Sequence, residues 1–207
     1  GSFAFQISNA YLEDGNYSEA LKYAYMALKE YELLNNKYWA SECYNLVAFC
    51  MDNQKNITDA LNNRHKALKL REELDDKRLI AQSYADIGAT YLDLSKLDSA
   101  QYFVLKSIEL YDKIDKSANY GFDQLARIYL KKGEANEQKG DNVAAQSDFK
   151  EALKYYEKVQ KIYQQNYLLS AANMMNISIG IVYFKLRNIN LSNSFLIAGV
   201  NSKEFLL

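Results

Sequence analysis

Proline is absent from the 207 residues, and glycine occurs only eight times. A chain so poor in turn-formers cannot punctuate many short strands; it suits long helices joined by short connections. Histidine is nearly missing as well, and the single His65 rules out a multi-histidine metal site. The two cysteines, Cys43 and Cys50, stand seven positions apart. On one helix that separation is about 10 Å, beyond the roughly 7 Å between Cα atoms that a disulfide spans. They read as small apolar core residues and do not report the redox compartment. No run of 18 apolar residues occurs, so no helix of this sequence has the length and greasiness to cross a bilayer. Glycine-rich phosphate loops and zinc-type cysteine spacing are lacking too. The net charge of −1 gives no overall field to attract nucleic acid or an anionic membrane. What is present is 49% hydrophobic and 25% charged residues, enough apolar material for a real core and too ordered a mixture for disorder.

The apolar material is periodic at a long range. Ala20, Ala60 and Ala100 are 40 apart, and each is followed seven positions later by Ala27, Ala67 and Ser107. Ser8, Ala48 and Gly88 keep the same 40-residue spacing, as do Tyr11, Met51 and Tyr91, and Tyr17, Ile57 and Leu97. Two more copies follow at longer intervals, Gly133, Ala145, Phe149 and Ala152 and then Ile179, Gly180, Tyr183, Ser192 and Leu196. The fifth copy is degenerate in its second helix. Self-similarity at such a period marks a stacked repeat architecture. In the second copy an insertion near Asn53–Asn56 would shift the first helix by one column; the ungapped register puts small Ala48, rather than Val47, where helices cross.

The stretch Ala81–Lys116 is the cleanest copy. Its Ile87-Gly88-Ala89-Thr90-Tyr91, followed by Ala100 and Ser107, resembles the tetratricopeptide repeat, and Gly15-Asn16-Tyr17-Ser18-Glu19-Ala20 with Ala27-Leu28 carries the likeness in the first copy. The resemblance implies an all-α fold, a right-handed α-solenoid of five stacked antiparallel helix pairs, each pair made of helices A and B. It covers nearly the whole chain as one array, with repeats at about 1–36, 37–76, 77–116, 117–164 and 165–207. The chain departs from the pattern in lacking a terminal proline and in exceeding 34 residues per unit. Both departures fit helices extended by about a turn.

The expected helices run Phe3–Asp14, Tyr17–Leu34, Tyr38–Asn53, Ile57–Leu74, Lys77–Leu94, Leu97–Asp115, Ala118–Lys139, Asn142–Tyr163, Asn166–Leu186 and Asn190 to near the end. Asn16 is placed as an N-cap, with Glu19 at the positive end of the helix dipole. The last stretch, Leu191–Leu207, holds Phe195, Leu196, Ile197, Val200, Phe205, Leu206 and Leu207, where a solenoid is expected to turn a polar face outward. That apolar end, and an array that begins inside its first helix, lead us to expect an excerpt of a larger protein.

Residues able to carry chemistry have simpler roles. Tyr11, Tyr17, Tyr84, Tyr91 and Tyr183 sit in packing columns, and the acidic pairs Glu72-Glu73 and Asp75-Asp76 sit at helix ends as solvated faces. No nucleophile has a base beside it in the pattern, so the reading is not an enzyme and requires no cofactor. By the resemblance, the A helices line a concave face that holds an extended peptide or a partner helix. The inward columns place Asn9 and Glu13 there from the first A helix, Asn45, Phe49 and Asp52 from the second, and Gln82 and Asp93 from the third, alongside Ala85 and Leu92. Arg127 and Glu134 follow from the fourth, and Ile181 and Phe184 from the fifth. Amide side chains can pair with a peptide backbone in either direction, which suits sequence-tolerant holding of an extended chain. Phe5, Gln82 and Asp86 occupy columns where a basic carboxylate clamp would need lysine or arginine, so a partner with basic residues is expected instead. The reading is therefore a peptide- or protein-binding scaffold, with no nucleic acid and no membrane insertion. Its alternative, again by resemblance, is the sensor or regulatory segment of a larger bacterial signalling or transcription-regulating protein, homodimeric or docked through the apolar C-terminal repeat.

Overall fold

The computed structural model describes residues 1–114 and 117–204, with side chains through Val200. Asp115, and the apolar Phe205, Leu206 and Leu207, lie outside the described residues. Among those described there are ten helices and no strand: α1 Ser2–Glu13, α2 Tyr17–Leu33, α3 Lys37–Asn53, α4 Ile57–Glu73, α5 Lys77–Asp93, α6 Leu97–Lys113, α7 Asn119–Gln138, α8 Asn142–Gln165, α9 Leu169–Lys185 and α10 Ile189–Glu204.

The turns explain how the chain dispenses with proline and most glycine. At the first, the Gly15 N–H donates to the Leu12 carbonyl (3.0 Å) and the Asn16 N–H to the Tyr11 carbonyl (2.8 Å), which caps the last carbonyls of α1. Asn16 then turns its side chain forward, and its Oδ1 accepts from the Glu19 N–H at 3.3 Å to cap α2. One residue closes one helix and opens the next. Asn36, Asp141 and Asn188 repeat both halves of the device, through the carbonyls of Tyr31, Asn136 and Tyr183 behind and the N–H groups of Trp39, Ala144 and Leu191 ahead. The residue before each must be left-handed. Gly15 and Gly140 adopt that conformation freely; Asn35, Lys55, Asp75, Ser95, Tyr167 and Arg187 adopt it with a Cβ, at φ between 50° and 65°.

These three-residue turns set the period. Helices α2 to α6 are each 17 residues long, so two helices and two turns make the 40-residue unit. The left-handed residues Gly15, Lys55 and Ser95 are accordingly 40 apart, and the second copy contains no insertion. Where the expected α9 began at Asn166, the helix begins at Leu169, because the left-handed Tyr167 belongs to the turn and α8 runs on to Gln165.

Packing follows the small-residue columns. Ser8, Ala48, Gly88, Gly133 and Gly180 are all buried, and so are Ala20, Ala60, Ala100, Ala145 and Ser192, each twelve positions later. The Ser8 hydroxyl donates to the Ala20 carbonyl at 2.6 Å, which shows how near the two backbones run. A Cβ on Gly133 would lie 2.5 Å from the fully buried Phe149 ring. In the fifth copy Gly199 fills the column of Ala27, Ala67, Ser107 and Ala152, a position the repeat pattern had left unassigned. The chain divides into two compact units, Gly1–Lys96 with Glu109–Lys116, and Leu97–Ile108 with Ser117–Leu207. In the first, α1 to α5 pack each on the next; Ala4, Ala27, Leu28, Tyr31, Ala40 and Cys43 form one buried cluster, and Ala24, Leu46 and Val47 a second. In the other, α7 to α10 pack around Ala126, Phe149, Ala152, Tyr156, Ile179 and Val182.

Left-handed backbone costs an L-residue about 1–2 kcal/mol that glycine does not incur, partly offset by glycine's greater freedom when unfolded. Lys55 is exposed and makes no capping bond through its side chain. Lys55→Gly is therefore expected to stabilise the fold by about 1 kcal/mol, seen as a rise in Tm of about 2–4 °C; a fall in Tm would contradict this account of the turn.

Candidate functional site

Three A helices of the first unit turn spaced side chains toward one cleft of about 310 Å³. Helix α1 supplies Phe5 and Asn9, α3 supplies Glu42, Asn45, Leu46 and Phe49, and α5 supplies Gln82 and Asp86, while Arg64 reaches in from α4. The spacings of three, four and seven residues put each set on one face of its helix. The rings are held in place: Phe5 packs edge-on against Trp39 with centroids 5.4 Å apart, and Phe49 against Tyr17 at 6.5 Å.

Beneath the cleft lies a charged layer organised by Arg71, whose side chain is fully buried. Its guanidinium donates to Glu42 Oε1 (2.6 Å), the Ser83 hydroxyl (2.9 Å) and the Leu79 carbonyl (3.2 Å). The Asn45 amide, with its oxygen turned to Arg71, accepts from both terminal nitrogens at 2.7 and 3.1 Å, leaving its NH2 to donate elsewhere. Arg64 pairs with Asp52 and donates to the Thr90 hydroxyl at 2.6 Å; that hydroxyl in turn donates to the Asp86 carbonyl at 2.9 Å. Among the described residues no ion pair forms to the Asp86 carboxylate. Burial pushes its pKa up to about 6, a rise that the Arg64 and Arg71 charges moderate and Glu42 and Asp52 reinforce.

Residues 42–113 match the family model of the tetratricopeptide repeat. Over that stretch the chain carries tetratricopeptide repeats. Solved structures of the same fold agree along its length. The nearly identical TPR-like repeats of a Podosopora anserina kinesin light chain are similar at a TM-score of 0.74 and 11% identity, over 98% of this chain and 93% of that one. BtubC from P. vanneervenii is similar at 0.64 and 16%, over 96% and 78%. A Rap protein complexed with competence and sporulation factor is similar at 0.59 and 16%, over 99% of this chain and 63% of that one. At such identities the likeness establishes the fold alone. No curated protein matches the sequence.

Of the concave-face residues expected from the tetratricopeptide pattern, Asn9, Asn45, Phe49 and Gln82 line the one cleft. Asp52 is half-buried and engaged by Arg64, while Glu13 and Asp93, near the ends of α1 and α5, are exposed outside the cleft lining. Ala85 and Leu92 are buried at 1% exposure each, so in the third copy those two residues belong to packing. In the second unit, Arg127 is exposed on α7 and Glu134 is paired with Lys185 at 3.5 Å, a lysine that also meets Glu137 at 3.1 Å. Ile181 and Phe184 are exposed on α9. Elsewhere, a recess of about 450 Å³ beside Tyr31, Tyr44 and Leu70 holds an ion pair of Lys37 with Glu73, a hydrogen bond between the Tyr44 hydroxyl and Glu32, and Lys66 over the Tyr44 ring. Cys43 and Cys50 remain thiols, their pKa values pushed by burial to about 12 and about 11.

Arg64 and Arg71 were not identified from the repeat pattern, although both left a signal in it, while Asp86 was marked only as an acid in a column where a basic clamp would need lysine or arginine. Position 71 occupies the column of Tyr31, Tyr111 and Tyr156, and position 64 that of the buried Ala24, Val104 and Phe149. A charge standing where other copies hold a packed aromatic or aliphatic residue marks a pair in which the repeat departs from packing alone.

The raised Asp86 pKa has a definite stability consequence. The folded carboxyl holds its proton up to about pH 6, whereas an unfolded aspartate releases it near pH 4, at about 3.9. Stability attributable to this group is thus greatest below about pH 4 and is lost as pH rises through 6. Asp86→Asn, which cannot ionise, is expected to raise Tm at pH 7.5, with the gain shrinking to nothing in melts recorded at pH 4; a gain independent of pH would refute the assignment.

Proposed function

We propose that this tetratricopeptide-repeat chain is a non-enzymatic protein- or peptide-binding module, and that the cleft of α1, α3 and α5 holds an extended segment of its partner. The observation that carries the reading is the convergence of three amides, Asn9, Asn45 and Gln82, between two ring walls, Phe5 and Phe49, in one open cleft. Amides satisfy a peptide's N–H and C=O groups without specifying its side chains, while Phe49, 48% exposed, offers apolar area that water leaves readily. The titratable groups below them, Glu42, Arg71, Asp52 and Arg64, are engaged with one another in ion pairs, a structural use of charge. The similar Rap structure, solved with competence and sporulation factor, is a precedent at the level of fold.

Selection of a displayed random-peptide library on the immobilised chain tests this. Retained peptides are expected to lose at least about tenfold in affinity to the Asn45→Ala/Gln82→Ala variant, the effect of removing backbone-directed hydrogen bonds. Absence of any retained peptide, or equal binding to the folded double variant, would overturn it.

A second reading rests on α9 and α10. Met174, Ile181, Phe184, Ile197 and Val200 are all more than 40% exposed on these two helices, and apolar exposure of this kind marks interfaces. In this reading the chain is a regulatory segment that pairs with itself or with an adjoining domain. Light scattering across a concentration series is expected to show a dimer that Ile181→Glu/Phe184→Glu converts to monomer; a monomer at every concentration would remove the self-pairing.

A further inference from the structure

The charges under the cleft do not balance. Helices α3, α4 and α5 bring together three carboxylates, Glu42, Asp52 and Asp86, but only two guanidiniums, Arg64 and Arg71. Each guanidinium is fixed on a carboxylate of its own. Arg71 is locked on Glu42 by Ser83, Asn45 and the Leu79 carbonyl, and Arg64 is locked on Asp52 by Thr90. Neither can move to Asp86 without leaving a half-buried carboxylate uncompensated. The third carboxylate lines the cleft itself, and among the described residues no ion pair forms to it.

A half-enclosed carboxylate lacking a counter-charge is costly in an apolar setting. The surroundings of Asp86 are suited to something that supplies the charge from outside. Phe5 and Phe49 give the cleft aromatic walls, surfaces against which an aliphatic stem packs and a cation is attracted. Gln82, one helical turn before Asp86, and Asn45 across from it offer amide groups at the same opening.

We propose that Asp86 is the receptor for one basic side chain, the arginine or lysine of a bound segment, whose stem lies along Phe5 and Phe49 and whose charged end completes the layer at three cations to three anions. The proposal rests on the peptide-binding reading above and names the chemistry of one position within it. It also makes binding depend on pH. The groups acting on Asp86 are Glu42 and Asp52 from α3, Arg64 and Arg71 from α4, and Tyr111 from α6, while α1 contributes only neutral residues to the cleft. The Asp86 pKa, about 6, falls between pH 5 and 7.5, so a cation should bind at the upper end of that interval and be released toward the lower.

The test is an NMR titration of the isotope-labelled full chain with N-acetyl-arginine amide, against N-acetyl-citrulline amide, which keeps the shape and loses the charge. At pH 7.5 the arginine probe is expected to shift the signals of Asp86, Gln82, Asn45 and Phe49, and citrulline is not. Asp86→Asn should weaken arginine binding about tenfold or more, and it should abolish the fall in affinity that the wild-type chain shows between pH 7.5 and pH 5. Asp93→Asn, on the same helix but outside the cleft, should leave both unchanged. Equal binding of citrulline, retained affinity in Asp86→Asn with an intact melt, or shifts centred on Glu13 or Asp93 would each overturn the proposal. The two readings fail separately. Library peptides that depend on Asn45 and Gln82 but are indifferent to Asp86 would sink the cation site and leave the peptide groove standing. Arginine bound at Asp86 with no library peptide retained would do the reverse.

Discussion

The structure depends on a turn in which one side chain serves two helices. Asn16, Asn36, Asp141 and Asn188 each give a backbone N–H to the helix behind and a side-chain oxygen to the helix ahead. Helix ends leave four donors or acceptors without intrahelical partners, and a connection this short has few groups with which to satisfy them. The sharing removes any need for a longer loop. It also demands one left-handed residue per turn, which the chain meets mostly with residues other than glycine. Regular spacing of these junctions is what allows the small-residue columns to fall in register and helix to meet helix at close range.

Most of this was legible in the sequence because packing columns repeat and side-chain size is a direct statement about distance. Ala20, Ala60 and Ala100 announce a crossing in three copies, and each is fully buried. The left-handed residues were less legible, since Lys55, Ser95 and Arg187 are not the types a turn advertises. They adopt the conformation because the bonds on either side require it, an instance of context overriding local preference. The displaced start of α9 has the same origin, for Tyr167 reads as a helix or packing residue and serves as a turn. Gly199 escaped notice because neighbours of the fifth copy had drifted from the pattern while the column's spatial requirement had not: a Cβ there would stand 2.6 Å from Ile177 Cγ1.

The candidate site was legible in a different proportion. Asn9, Asn45, Phe49 and Gln82 come together because the repeat carries the same three helical columns from one copy to the next. The charged layer beneath them was not, because its members come from different repeats and different helices of the pair. Arg71 on α4 crosses to Glu42 and Asn45 on α3 and to Ser83 on α5. A repeat reading compares each position with its equivalents, and so is blind to a bond between positions that are not equivalent. The replacement of a buried tyrosine by Arg71 shows what such a bond requires: an apolar contact in the other copies becomes, in one, a set of five hydrogen bonds from two nitrogens.

The shared-residue turn has one more consequence, for how such a chain can change length. A junction works only if the helix leaving it points its last carbonyls, and the next small residue, in the right direction around the axis. Each added residue rotates that direction by about 100°. Two helices exceed the 17-residue length, α7 at 20 and α8 at 24, longer by three and by seven. Those increments fall about 60° short of one full rotation and about 20° short of two, so the far end stays within a fraction of a turn of its former phase. Length in this protein is in effect quantised by the helical turn, and growth or loss in steps of one or two residues would rotate a whole downstream pair out of its seat.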